Sequence, residues 1–205
     1  KLAVALLVGL PIAGRGQCPT VLGILVDGCG TEQLNEFVII HSGGGFNTSD
    51  LQFSFDDGNN TFAGSPGTNN NDINIDIDNS PLSPVCGLQA GNTSLIGGCS
   101  NVISVGPGFD IPANSFLVLQ TSAGASSPYN FASICGAGGC VYVIQNTCTR
   151  LIGGFTNGGT GSPGPRDNVL AINGTGCFNT YTYITTSLTD TNGDYFIPPA
   201  TYGNA

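Results

Sequence analysis

The sequence predicts an all-β sandwich with long loops, stapled by disulfides. Its apolar stretches are short and closed by turn residues, and none carries the longer periodic pattern of a helix. Glycine and proline, 32 and 12 of 205 residues, punctuate the whole chain. Eight cysteines accompany a single histidine, which suits disulfides in an oxidising compartment rather than a metal centre.

Taken in order, Lys1 to Gly16 reads as a secretory leader: one positive charge, the apolar run Leu2 to Leu10, then Pro11 and small residues. Gly14 and Gly16 stand at the −3 and −1 places before Gln17, where cleavage is expected. The run is too short to span a bilayer. If retained, the same stretch is an apolar strand whose alternate residues Leu2, Val4, Leu6 and Val8 suit donation to a neighbouring subunit. Residues 17–205 are expected to form one elaborated β-sandwich domain, since the length is generous for one domain and short for two.

A first strand is predicted over Val21 to Val26, closed by the turn Asp27-Gly28-Cys29-Gly30. The run Leu34-Asn35-Glu36-Phe37-Val38-Ile39-Ile40, ended by His41-Ser42-Gly43-Gly44-Gly45, reads as a buried strand around which the rest is arranged. Leu51 to Phe55 alternates apolar and polar, as a half-exposed strand does. Ile73, Ile75 and Ile77 alternate with Asn74, Asp76 and Asp78. That pattern is an acidic strand edge more readily than a cation-binding face, because alternate strand positions rarely wrap one ion. Pro81 to Pro107 is loop-rich. Strands follow at Phe116 to Gln120 and Val141 to Gln145, with flexible surface expected at Thr121 to Ser127. Gly153 to Pro165 reads as a long exposed loop, followed by late strands at Val169 to Ile172 and Thr180 to Thr185.

The pair of strands Asn35-Glu36-Phe37-Val38 and Ile111-Pro112-Ala113, running on to Phe116-Leu117-Val118-Leu119, resembles the lamin-tail type of immunoglobulin-like domain. The chain is also similar to secreted lamin-tail-like modules of Bacteroidota surface proteins. Those open with a Cys-Pro pair and a Val-Asp…Cys-Gly turn, here Cys18-Pro19 and Val26 to Gly30. The resemblance implies an immunoglobulin-like sandwich used for attachment and architecture rather than for one chemistry.

Composition narrows the function. The formal net charge is −9 with four basic residues, so no cluster exists to neutralise a run of phosphates, and neither nucleic acid nor anionic lipid is an expected partner. Only 8% of residues are charged while 40% are hydrophobic, which excludes an acidic disordered chain. The polar surface must come from Asn, Thr, Ser and Gly, as suits an extracellular protein that packs against neighbours or carries glycans.

All eight cysteines, Cys18, Cys29, Cys86, Cys99, Cys135, Cys140, Cys148 and Cys177, are expected to be bridged. Spacing leaves the connectivity open, with short loops favouring Cys86–Cys99 and Cys135–Cys140 as local staples. Sequons at Asn47, Asn59, Asn92 and Asn173 are glycan acceptors by motif. Asp190, Asn192 and Asp194 have the start of a calcium loop, and calcium is the one cofactor left open. However, Phe196-Ile197-Pro198-Pro199 stands where the bidentate Glu belongs, and Asn192-Gly193 makes a turn the preferred reading.

No G-x-S-x-G elbow, phosphate-binding glycine loop or HExxH motif is present. His41 is expected to serve its turn rather than as a general base, Glu36 is expected to be a structural acceptor, and no catalytic residue is assigned. The expected protein is therefore a non-enzymatic secreted structural subunit of a surface filament or sheath that self-associates. The alternative is an adhesin or carbohydrate-binding module using Tyr129, Tyr142, Tyr181 or Tyr183 to stack on sugars.

Overall fold

The computed structural model describes residues 17–31, 34–55, 73–74, 86–135, 140–149, 155, 165–188, 193 and 195–198. Its elements are nearly all strands. The larger sheet is built on β1 (Thr20–Leu25), β2 (Phe37–His41), β9 (Phe116–Gln120) and β11 (Val141–Asn146). β14 (Tyr195–Phe196) lies outside β1. Two short strands share the far edge of β11: β7 (Val102–Ser104) runs parallel to its first half, and β5 (Leu88–Ala90) antiparallel to its second. The smaller sheet is β4 (Leu51–Ser54), β12 (Pro165–Ile172) and β13 (Cys177–Ile184), in the order β13-β12-β4.

The two sheets face each other across one core. Val38 and Ile40, Leu117 and Leu119, and Ile144 of the large sheet meet Leu51, Phe53, Leu170, Ile172, Tyr181 and Tyr183 of the small one. The opposite face of the large sheet is also covered. Val118, Val141 and Val143 pack with Ile96 and Phe131, beneath the two-stranded ladder of β6 (Ile96–Gly97) and β10 (Tyr129–Asn130) and the single helical turn α1 (Ala132–Cys135). Burial on both faces is why Phe116 to Leu119 and Val141 to Ile144 are continuous apolar runs rather than alternating ones. β9 and β11 pair in parallel, and the chain between them returns through β10 and α1 over the outer face. A small ladder of β3 (Phe46–Asn47) and β8 (Asp110–Ile111) completes the set. All-β architecture, sandwich-like packing and disulfides thus match expectation.

Several local expectations are corrected. β2 starts at Phe37 rather than Leu34, whose N–H is turned back to the Thr31 carbonyl at 3.0 Å. β12 and β13 are each eight residues long, starting well before the apolar cores the sequence displays. Thr121 to Ser127 is a held corner, not a loose surface: the Thr121 Oγ1–H donates to the Glu36 carbonyl at 2.9 Å, and the Ser126 and Ser127 N–H groups both donate to Asn35 Oδ1 at 2.8 Å. Ile73 is fully buried and bridges Phe53 on one side and Cys86 on the other, whereas Ile75, Asp76, Ile77 and Asp78 lie outside the described residues.

The disulfides are Cys18–Cys177, Cys86–Cys148 and Cys99–Cys135. The first joins the start of β1 to the start of β13 and closes one seam between the sheets. The second joins the residue bridged to Ile73 with the end of β11 and closes the opposite seam. The third clips α1 to the loop after β6. This corrects the local staples Cys86–Cys99 and Cys135–Cys140. Cys86 sits at a sheet seam and Cys99 on the covered outer face, and the twelve residues between them, including β5 and β6, carry the chain from one layer to the other. Cys29 and Cys140 carry free thiols, which corrects the expectation of a fully bridged set.

Candidate functional site

Among the described residues no group of three or more His, Cys, Asp or Glu is placed to hold a metal ion. Asp190, Asn192 and Asp194 lie outside those residues, as do Leu2, Val4, Leu6, Val8 and Asn59. No described helix is long and apolar enough to cross a membrane. His41 is tied to its turn: its Nδ1 accepts the Gly43 N–H at 3.3 Å and its ring meets Phe116 edge-on. Glu36 is buried and its Oε1 accepts the Phe155 N–H at 3.4 Å. Of the remaining sequons, Asn47 uses its amide nitrogen on Asp110 at 2.8 Å. Asn92 and Asn173 are exposed, Asn173 in the tight turn between β12 and β13.

The corner around Cys29 is the most polar constellation at the surface. The Cys29 N–H donates to the Tyr129 hydroxyl at 2.7 Å, and the Cys29 carbonyl accepts from Asn35 Nδ2 and Ser127 Oγ, both at 3.0 Å. Beside it a cleft lined by Asn35, Phe37, Gln120, Tyr129 and Phe131 has room for about one water molecule, far less than a sugar ring needs. Burial outweighs the stabilising Cys29 N–H and pushes the Tyr129 phenol from 10.0 up to about 12. The folded state therefore holds this proton more tightly than the unfolded chain. The resulting stability is complete below the ordinary phenol value and drains away as pH rises from about 10 to about 12. Alkaline unfolding followed with tyrosinate absorbance should show this segment in the native protein and lose it in Tyr129→Phe. An unchanged alkaline profile in that variant would contradict the assignment.

The free thiols differ in setting. Cys29 is exposed, whereas Cys140 is half-buried and its Sγ accepts from Asn101 Nδ2. Titration of the unreduced native protein is expected to find one fast thiol, lost in Cys29→Ser, and a slower second, lost in Cys140→Ser. Finding no thiol in the denatured, unreduced chain would show that these two cysteines are bridged after all.

Three of the four tyrosines proposed for sugar stacking are interior: Tyr142, Tyr181 and Tyr183 are all buried. Tyr181 turns its hydroxyl to β1, where a bulge between Val21 and Gly23 shifts the register and the Val21 N–H donates to it at 2.9 Å. Tyr183 lies against Phe196. An exposed tyrosine outside that set is Tyr195, 64% exposed in β14.

The surface that stands out is the outward row of β13. Phe178, Thr180, Thr182 and Ile184 are all exposed, with Phe178 at 59% and Ile184 at 53%. The strand alternates strictly in its second half, Tyr181 and Tyr183 inward and Thr182 and Ile184 outward, so its outward apolar groups are left by the fold itself. Among the described residues β13 is paired with β12 alone. Nothing in its sequence marked it: a Thr/Tyr-rich strand shows period two equally well with either face buried.

No protein family, no curated protein and no solved structure matches this chain.

Proposed function

We propose that the chain is a non-enzymatic extracellular structural protein, a self-associating subunit of a surface filament or sheath, built on an immunoglobulin-like sandwich of the lamin-tail type. The observation that carries this reading is the outward row of β13. The outward face of β13 presents Phe178 and Ile184 to solvent, apolar groups of the kind a contact with a second copy would cover. The three disulfides suit an oxidising exterior.

Electron microscopy of the purified full chain tests it, with regular polymers expected. If Lys1 to Gly16 is retained in the mature protein, replacing Val4, Leu6 and Val8 with Asp should yield monomers with the sandwich intact. Monomers alone from the unaltered chain, at every concentration tried, would remove the filament reading. The adhesin or carbohydrate-binding alternative retains half-buried Tyr129 and gains exposed Tyr195, and a glycan-array signal lost in Tyr195→Ala would favour it.

A further inference from the structure

We infer that Cys29 of one copy and Cys140 of the next form a disulfide joining subunits end to end, an inference that rests on the filament reading above and locks its contacts covalently. Six of the eight cysteines are bridged within the chain, and these two are left with free thiols. They stand at opposite ends of the large sheet. Phe37, Gln120 and Gln145 lie in register at one end of β2, β9 and β11, and His41, Phe116 and Val141 at the other. Cys29 lies beyond the first of these ends, where its carbonyl accepts from Asn35 Nδ2 and its N–H donates to the Tyr129 hydroxyl. Cys140 precedes Val141 at the second end. There the Val141 N–H donates to the Asn101 carbonyl at 3.0 Å, and Asn101 Nδ2 donates to the Cys140 sulfur. Four strand steps separate the two ends, about 13 Å. A disulfide needs its Cα atoms within roughly 7 Å of each other, so this pair does not close within one molecule.

Between molecules the same placement brings the thiols together. When copies stack along the strand direction of the large sheet, the Cys29 end of one meets the Cys140 end of the next. The two ends are different surfaces, so the link is heterologous and repeats with every added copy. Their exposure suits unequal roles. Cys29 is exposed on its turn and Cys140 is half-buried beside Asn101, so the turn is the part that reaches in. That turn is held in place: Asn35 Nδ2 and Ser127 Oγ both donate to the Cys29 carbonyl at 3.0 Å, which fixes the backbone behind the thiol. The chemistry is two thiol–disulfide exchanges with a small disulfide as the oxidant. The Cys29 thiolate attacks one sulfur of that disulfide and forms a mixed disulfide, and the other sulfur leaves and takes up a proton. The Cys140 thiolate of the next copy then attacks the Cys29 sulfur and expels the second small thiol. Two protein thiols are oxidised, one small disulfide is reduced to two thiols, and the protons lost by the cysteines end on those thiols. In separate chains both cysteines titrate as thiols; within the joined polymer neither does.

Electrophoresis of the full chain under denaturing, non-reducing conditions tests this, after incubation with oxidised glutathione. The unaltered chain should run as a ladder of covalent multimers, and peptide mass analysis should find Cys29 joined to Cys140. Cys29→Ser and Cys140→Ser chains should each lose the ladder and run as monomers, with the three internal bridges kept. An equimolar mixture of these two variants should give a dimer and nothing longer, because such a pair has serine at both outer ends. Homodimers from either single variant in the yield of the mixture would overturn the pairing. A monomer bridged internally from Cys29 to Cys140, or an unaltered chain that stays monomeric on the gel, would overturn it equally. Electron microscopy of the same sample then separates the two readings. Regular polymers without the ladder would leave the filament reading standing without this bond, and monomers alone would remove both.

Discussion

Replacing Cys18 and Cys177 together with serine is expected to cost roughly 5 kcal/mol, the largest loss of any bridge in the molecule. The reason lies in the unfolded chain. Cys18–Cys177 has a sequence separation of 159, against 62 for Cys86–Cys148 and 36 for Cys99–Cys135, and a longer closed loop removes more conformational freedom when the fold is lost. The same logic gives roughly 4 kcal/mol for each of the other two, the shorter loop slightly less. Chemical denaturation of the three double-serine variants checks the order. A loss for Cys18–Cys177 no larger than for Cys99–Cys135 would mean that the unfolded chain is already compact between the two ends.

Phe53→Ala is expected to destabilise by about 3–5 kcal/mol. Phe53 is completely buried in β4 and centres an aromatic group, 4.7 Å from the ring of Phe55 and 6.5 Å from that of Phe155. Its backbone is also committed, exchanging hydrogen bonds with Ile73 in both directions at 2.8 and 3.0 Å. Truncation leaves a cavity that this pinned strand cannot close by moving. Phe178→Ala, on the outward row of β13, should cost little by comparison, within about 0.5 kcal/mol. Thermal or denaturant unfolding of both variants checks the contrast, and near-equal losses would contradict the core assignment.

The strands that were legible in the sequence are those whose apolar pattern is unambiguous. The run ending at Ile40 read as a buried strand, and Phe116 to Gln120 and Val141 to Gln145 read as strands, because burial on both faces leaves long apolar runs in each. Leu51 to Phe55 read as half-exposed from its alternation; the structure buries Leu51, Phe53 and Phe55, but it buries Ser54 as well, so only Gln52 is partly open. β13 read only in part, since Thr and Tyr suit water and core alike and burial is decided by the partner sheet. The helical turn Ala132–Cys135 is too short to carry a period. The tie from Asn35 to Ser126 and Ser127 spans more than ninety residues of sequence, and a single Asn gives no sign of it. The pairing of cysteines was illegible for the same reason: it depends on which strand ends the fold brings together. Neighbours in sequence such as Cys135 and Cys140 ended with different fates, one bonded to Cys99 and the other a free thiol.

The bridge from Cys18 to Cys177 also settles how the molecule carries tension. A pull applied to the chain on either side of it enters at one sulfur and leaves at the other, a path with a Cα–Cα span of 5.5 Å. The elements inside the closed loop, β1 to β12, bear none of the load, whereas β13 and β14 lie on the C-terminal side of Cys177 and are loaded directly. Without that shortcut, extending the 159-residue interval would pay out roughly 540 Å of contour length and empty the core on the way. With it, the covalent link acts as an inextensible strap. Under such a pull, whatever happens to β13 and β14, the chain between the two cysteines cannot be drawn out while the bridge is intact.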